Sequence, residues 1–561
     1  MRAHRTRRLV FLATACLVAV AACGGDDGDT DASSAGSAES TADVSGAAGE
    51  TTVAESADGA SVDSADGTTP TTAAAGETSE GSSGDAEVDT NAVLKIGIGR
   101  QNTTFDPHRA PTTFEEQQLD LVYDRLLRRL PDGTVAPELA ESWEFTPEGL
   151  VLSIREGVQF HDGSVLDAEV VKLNLDRART LEDSAVKNDF VRVTDVQVID
   201  PKTVLLVMPE TDVTILTVLS TRGGAIAARA GIEADTLATE PIGAGPFTLV
   251  DFVPDASETF QRFDGYWNPD IAKVAGIEVS VLPDPTARLN AFQSGVVDMV
   301  QLEPTQVPEA EAVGLRLETA NLQTVIGIQI NPDNVPAFAD PRVRQAMNYA
   351  IDREALVDGF LQGLGEPTVQ VFAQTIAFDP NLGDLYPYDP EKAKQLLAEA
   401  GYPDGFEFTL DHGSTPSAEE VDAVVGLLAA VGITANAQEL PGNETVVKMW
   451  TEKSGEGMIT PWNTLWDPSL NFGQFLPDHP RNPANLVNDE VVALWQQSLG
   501  EQDQAKRSEI LQQASRLVAE EPLSVIPLYS TTATWALSDR VTGFSLPANN
   551  FWVFRGVGLT A

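Results

Sequence analysis

Ile277-Glu-Val-Ser-Val-Leu282, the run from Pro285 to Ser294, and Val296-Val-Asp-Met-Val300 follow one another almost without interruption, and their reading decides the architecture. The first, rich in β-branched residues, predicts a strand. The second predicts a helix that Gly295 stops, and the third a returning strand. Strand, helix and strand in so short a span place the chain in the α/β class.

The pattern extends outward in both directions. Val93-Leu-Lys-Ile-Gly-Ile98 predicts a strand, and Leu119, Val122, Tyr123, Leu126 and Leu127 predict one face of a helix. Leu150 to Arg155, Val193 to Ile199 and Thr203 to Met208 predict strands, the last two joined by a turn at Asp200-Pro201. Such hairpins make the sheets mixed. Asp340-Pro341 and Asp389-Pro390 each set a capping acid before a proline suited to the first helical position. Helices are therefore expected over 341–351, after Asp352, and over 390–400 with Gly401 beyond the end. Ser417 with Glu420 forms a capping box, and Glu501 to Glu520 predicts a long helix stopped by Pro522.

The chain begins with a different kind of segment. Arg2, Arg5, Arg7 and Arg8 precede an apolar run from Leu9 to Ala22, shorter than the span of about 20 residues that a membrane helix needs. This reads as an export leader, by either the general or the twin-arginine route (Arg7-Arg8). Val20-Ala-Ala-Cys23 resembles the lipobox of bacterial lipoproteins. That resemblance implies that Cys23 becomes a lipid-modified N-terminus anchored to the cell membrane; the alternative is an ordinary leader cleaved nearby. From Gly24 to about Thr90 the chain is almost entirely Ala, Ser, Gly, Thr, Asp and Glu, without Lys, Arg or aromatic residues. It is expected to be a disordered tether spanning roughly 40–50 Å.

The remaining chain, from near Val93 onward, is long enough for two or three lobes. The formal charge is −48; with the four leader arginines and sixteen tether acids set aside, about −36 remains on the body. So acidic a surface disfavours nucleic acid, whose phosphates need Lys and Arg. Cys16 falls inside the leader, so the mature chain has no disulfide and no cysteine metal site. His108, His161, His412 and His479 show no metal-ligand spacing, so no metal and no cofactor are expected. GxSxG and P-loop motifs are absent, and no carboxylate pair stands out, so the chain reads as a non-enzyme. Gly243-Ala-Gly is a lone GxG outside any strand-to-helix context; it is expected to be a tight turn. His161-Asp162-Gly163 reads as a turn after a strand.

An ordered set of segments gives the body its resemblance. These are Phe105-Asp-Pro-His108, Tyr123-Asp-Arg-Leu-Leu127, Pro137-Glu-Leu-Ala-Glu-Ser-Trp143 and Ile154 to Gly163. Pro241 to Phe247, Gly265-Tyr-Trp-Asn-Pro269, Asp340 to Ala346, Ala350-Ile-Asp-Arg353, Ala393 to Pro403 and Pro522 to Tyr529 follow. Together they resemble the family 5 extracellular solute-binding proteins of ABC importers, the oligopeptide-, dipeptide- and nickel-binding group. The resemblance implies a two-lobed, type II periplasmic-binding-protein-like fold. Residues 1–22 would be leader and 23–90 tether. Lobe I would comprise 91–136, 236–320 and 526–561, with an inserted subdomain at 137–235 and lobe II at 321–525. Two crossing strands, near Thr324 to Asn331 and Ser524 to Ser530, would form the hinge. A monomer would hold a small solute between the lobes and deliver it to a permease driven by partner ATPases.

The resemblance also points to Met458–Phe472 as ligand-facing, where the family carries a Trp, an Asp that pairs with a peptide's ammonium, and an Asp-Pro. Asp467-Pro468 supplies the last, and Thr464 then stands where the ammonium-pairing Asp belongs. A threonine cannot neutralise a buried ammonium. The family implies a peptide-like ligand, yet Trp462 and Trp466 offer stacking faces, and Asn463 and Thr464 offer hydrogen bonds, to a neutral polar or sugar-like solute. Either tryptophan has core packing as its alternative. Asp467, Arg222, Thr104 and Asn550 are further ligand candidates, each with a surface turn as the alternative reading. Two other functions stay open: a receptor that presents its ligand to a sensor, and a secreted hydrolase.

Overall fold

The computed structural model describes residues 87–130, 133–463, 467–547 and 553–561. The leader, Cys23, nearly all of the tether, Thr464, Trp466 and Asn550 lie outside the described residues. No described helix is long and apolar enough to cross a membrane.

Two long strands, Arg316–Ile330 and Val525–Leu537, run antiparallel through the largest sheet. On one flank follow Met299–Leu302, Val93–Ile98, Gly276–Val281, Ser257–Arg262 and Phe247–Val253. On the other lie Gly457–Asn463, Phe406–His412 and Ile433–Glu439. Val93–Ile98 is parallel to both of its neighbours, and Phe406–His412 is parallel to both of its own, whereas the other pairings in this path are antiparallel. The sheet is mixed, as expected.

The long pair carries a break. Its register holds from Arg316↔Leu537 to Asn321↔Thr532, shifts, and resumes at Val325↔Ser530. The hydrophobic core changes over at the same place: Leu322 packs with the core of lobe I, and Ile326 with that of lobe II. A second register shift follows between Ile326 and Gly327; a bulged ladder bends more readily than a regular one, and the first shift coincides with the boundary between cores.

The inserted segment forms its own antiparallel sheet, ordered Ala140–Thr146, Gly149–Ile154, Thr203–Val207 and Asp195–Asp200. It covers a separate core with helix Ala168–Thr180.

Local caps do what their sequences predict. Asp340, Asp389 and Ser417 each accept a backbone N–H at the start of helices Pro341–Ala350, Pro390–Glu399 and Ala418–Ala429. Three expectations are corrected. The first helix spans Glu116–Val122, and Tyr123 is already extended because Asp124 and Arg125 are drawn into a buried network. The long helix near the C-terminus starts at Gln504, capped by Asp503, and follows a separate helix at Asp489–Gly500. The strand expected from Val296 spans Met299–Leu302, and Val296 itself is exposed.

Candidate functional site

Several of the quoted motifs converge on one buried ionic cluster where lobe I, the inserted segment and the C-terminal stretch meet. Arg555 donates to Glu138 at 3.1 Å and also bonds Asp124 and the Tyr266 hydroxyl. Tyr266 donates to Asp124 at 3.1 Å, Trp267 Nε1 donates to its other oxygen, and Arg125 donates to Asp120 at 2.8 Å. Burial, reinforced by Asp124, pushes the Glu138 carboxyl up to about 7. Phe105–His108 serves a similar end: Asp106 pairs with Arg177 and Arg109, and burial beside Arg177 pushes the His108 ring down to about 3, keeping it neutral. At Gly243 a Cβ would stand 2.0 Å from the Val122 carbonyl oxygen, so this GxG is a close backbone approach. His161 Nε2 donates to the Gly245 carbonyl at 3.0 Å, a structural role.

A cavity of about 820 Å³ opens beside this frame. Arg129, Trp143, Phe145 and Leu216 wall it from one side. Gln374, Ile376, Phe378, Asp467 and Arg507 wall it from lobe II, and Gln323, at the break in the long pair, joins the two. Gln323 donates to the Gln374 carbonyl at 2.8 Å, while its buried side-chain oxygen accepts nothing. The size and the mixture of aromatic and polar walls suit a small polar solute.

The strand Gly457–Asn463 lies against the first long strand, which fixes the residues leading into the cavity. Thr324 Oγ1 donates to Asn463 Oδ1 at 2.9 Å, leaving Asn463 exposed at the strand end. Asp467 departs from the expected ligand role. It caps the 3₁₀ helix Pro468–Phe475 and is gripped by Arg507 through bonds of 2.6 and 2.7 Å, both side chains being at least nine-tenths buried. Trp462 is also corrected: at 5 % exposure it belongs to a lobe II core cluster, tilted against Trp450 with ring centroids 5.9 Å apart. Strand alternation turns its ring inward, yet its Nε1 is buried without an acceptor. Thr104 is a turn residue whose Oγ1 accepts the Asp106 N–H at 3.0 Å. Arg222 is mostly buried and donates to Glu116 at 3.3 Å, so its charge is already matched, although its Nε has no acceptor.

Sequence reasoning missed Gln323, which sits in no motif but lines the cavity. Asp189 reaches solvent from a hollow crowded enough that desolvation dominates. With Arg222 and Arg481 pulling the other way and Glu116 adding repulsion, its carboxyl is pushed up to about 6. Arg481 is half-buried on lobe II; burial lowers its guanidinium's pKa, which the charge of Asp189 partly offsets.

Residues 134–481 match the family model described as bacterial extracellular solute-binding proteins, family 5 middle. The chain belongs to that family. Among curated relatives it is 27 % identical to the glutathione-binding protein GsiB of Escherichia coli K12 over 485 residues, covering 83 % of this chain and 94 % of the relative. The GsiB of Salmonella paratyphi A is equally similar, at 27 % over 484 residues, covering 83 % of this chain and 93 % of that one. Among solved structures, the periplasmic binding protein DppA from Helicobacter pylori, in complex with the peptide STSA, superposes with a TM-score of 0.72 at 21 % identity. That match covers 84 % of this chain and 99 % of DppA. AgaA from A. tumefaciens R10, in complex with agropinic acid, gives 0.70 at 23 % identity, covering 83 % and 99 %. As a family 5 member the chain has the two-lobed type II fold, and its paired long strands join the lobes.

Proposed function

We propose that this protein is an extracytoplasmic receptor, tethered to the membrane by lipid on Cys23, that captures a small polar solute between its lobes. It then delivers the solute to the permease of an ABC importer. One observation carries the reading: the break in the long strand pair falls where one core gives way to the next, beside a solute-sized cavity walled from both sides of the cleft. A ligand touching both walls favours the closed form by its differential contacts, and the closed surface is what a permease would read. The named relatives bind glutathione, a peptide and agropinic acid, which supports a solute of that size.

Native mass spectrometry of the full chain purified from its host tests the reading. A stoichiometric small molecule, lost on denaturation, is expected, with a diacylglyceryl mass at Cys23 that Cys23→Ala abolishes. Turnover of a peptide or glycoside by the purified protein would instead favour a hydrolase.

A further inference from the structure

Given the cleft as the solute site, we propose that Gln374 is a solute-reading residue wired to the hinge. Its side-chain oxygen takes a hydrogen bond from an uncharged N–H or O–H of the solute, and Glu366 and Gln323 carry that contact to the break in the long strand pair. Gln374 stands in the cavity wall with its backbone in the left-handed region, at φ 56°. Of the non-glycine residues described in that region, it alone lines the cavity. Such backbone persists only where the surroundings enforce it, and it concentrates at ligand clamps and switches. The Gln374 carbonyl accepts the Gln323 side-chain N–H at 2.8 Å, and its own Nε2 donates to Glu366 at 2.8 Å. The carboxylate fixes which end of the amide is nitrogen. The other end is an oxygen that accepts nothing among the described residues.

Glu366 is the junction of the wiring. Its second oxygen accepts from the side chain of Asn321, the last residue of the first long strand in register before the break. Beyond it Leu322, Gln323 and Thr324 have no registered partner on the second long strand, so that ladder does not hold them. Gln323 is held instead by its bond to the Gln374 carbonyl. The four side chains thus bridge the break: Asn321 to Glu366, Glu366 to Gln374, and Gln374 to Gln323. The segment that carries Glu366 also ties the two cores together. Gly365–Pro367 pairs with the second long strand at Tyr529, Ser530 and Thr531, the stretch that faces the break. Leu361 lies in the lobe II core, whereas Leu364 packs against the lobe I cluster of Val300, Leu302 and Ala536. At Gly365 a Cβ would stand 2.9 Å from the Ser530 carbonyl oxygen, so the strap lies hard against the hinge strand.

A carboxylate accepts from Asn321 and Gln374 together, which a neutral amide in its place cannot do. A guest donor at the Gln374 oxygen orients that amide, and the amide nitrogen then fixes Glu366, the strap and Asn321 in one setting. The coupling is reciprocal: a hinge angle that draws Glu366 away turns the amide from the solute and lowers its affinity. The group read at this point is a hydroxyl or an amide N–H. A carboxylate of the solute, which only accepts, finds no partner at this oxygen.

Calorimetry and hydrogen–deuterium exchange on the full mature chain test this with two probes: glutathione, and the compound released from the wild-type chain by denaturation. Filling the wild-type cleft with whichever probe gives saturable heat should slow amide exchange at residues 322–324 by about fivefold or more. Gln374→Gly keeps the left-handed backbone and the carbonyl and removes only the side-chain amide. It should weaken binding about tenfold, with the apo melting temperature near that of the wild type. Glu366→Gln leaves the cavity wall untouched. It should weaken binding about fivefold and remove most of the protection that filling confers on residues 322–324, a loss that a purely structural role would not confine to the filled state. Either of two results overturns the assignment: Gln374→Gly binds the probe at wild-type strength, or filled Glu366→Gln keeps full protection. The second would leave Gln374 a contact with no wire to the hinge. If a variant fails to fold, the wild-type comparison still decides, because unchanged exchange at residues 322–324 on filling refutes the proposal. Failure of both probes to bind the wild-type chain would instead sink the solute-receptor reading, and this assignment with it.

Discussion

Replacing Asp467 with Asn separates a structural role from a ligand role for the one motif acid that the structure describes in the cavity wall. Asp467 and Arg507 retain only 6 % and 9 % side-chain exposure. The carboxylate accepts two bonds from the guanidinium and one from the Ser469 N–H at 2.9 Å. Arg507 also donates to Ser469 Oγ at 2.7 Å and to the Ser498 carbonyl at 2.9 Å, so it cannot swing out to water without breaking the contact between the 3₁₀ helix and the helix pair beyond it. Asp467→Asn keeps the cap but strands a buried guanidinium, at a cost of roughly 3–5 kcal/mol. At about 2 °C per kcal/mol for a body this large, the apo melting temperature falls by roughly 6–10 °C. Arg507→Met should cost a similar amount, and the double variant should recover most of it, because an apolar pair needs no charge partner. Differential scanning calorimetry of the apo proteins reads all three. A single variant that melts normally but loses solute affinity would refute the structural assignment.

Arg555→Met should destabilise the protein by more than about 3 kcal/mol in urea unfolding, since Asp124 and Glu138 lose a shared buried cation. Trp462→Ala should cost the apo form about 3–5 kcal/mol, as expected for a large buried ring; near-normal apo stability would return Trp462 to the ligand surface. Glu258 is fully buried, and burial pushes its carboxyl up to about 8, only weakly opposed by the nearby Asn102 N–H and Gln101 amide. Between its ordinary value and 8 the folded form holds a proton that the unfolded chain has released, so its contribution to stability falls as pH rises through that window. Glu258→Gln should therefore raise the melting temperature at pH 8 much more than at pH 5; an equal shift at both would contradict the assignment.

What the sequence made legible was local. The strand–helix–strand run at Ile277 to Val300 and the caps at Asp340, Asp389 and Ser417 depend on neighbours a few residues away, and the structure shows them. Leu126 and Leu127 misled because Asp124 answers to Arg555 at the far end of the chain, and that partner pulls the backbone out of the helix. Asp467 was recognisable as a motif position, but its partner Arg507 lies on another helix and converts it from ligand to strut. For Trp462 the sequence leaves ligand stacking and core packing both open; the ladder with Val325 makes it a strand residue with an inward ring.

Small-angle X-ray scattering of the full mature chain, stripped of solute by partial unfolding and then refilled with the co-purified compound, tests the hinge and the cleft together. Refilling should shrink the radius of gyration and sharpen the pair-distance distribution as the two lobes rotate about the break between Asn321 and Val325. Identical curves with saturating compound would contradict a receptor that works by closing.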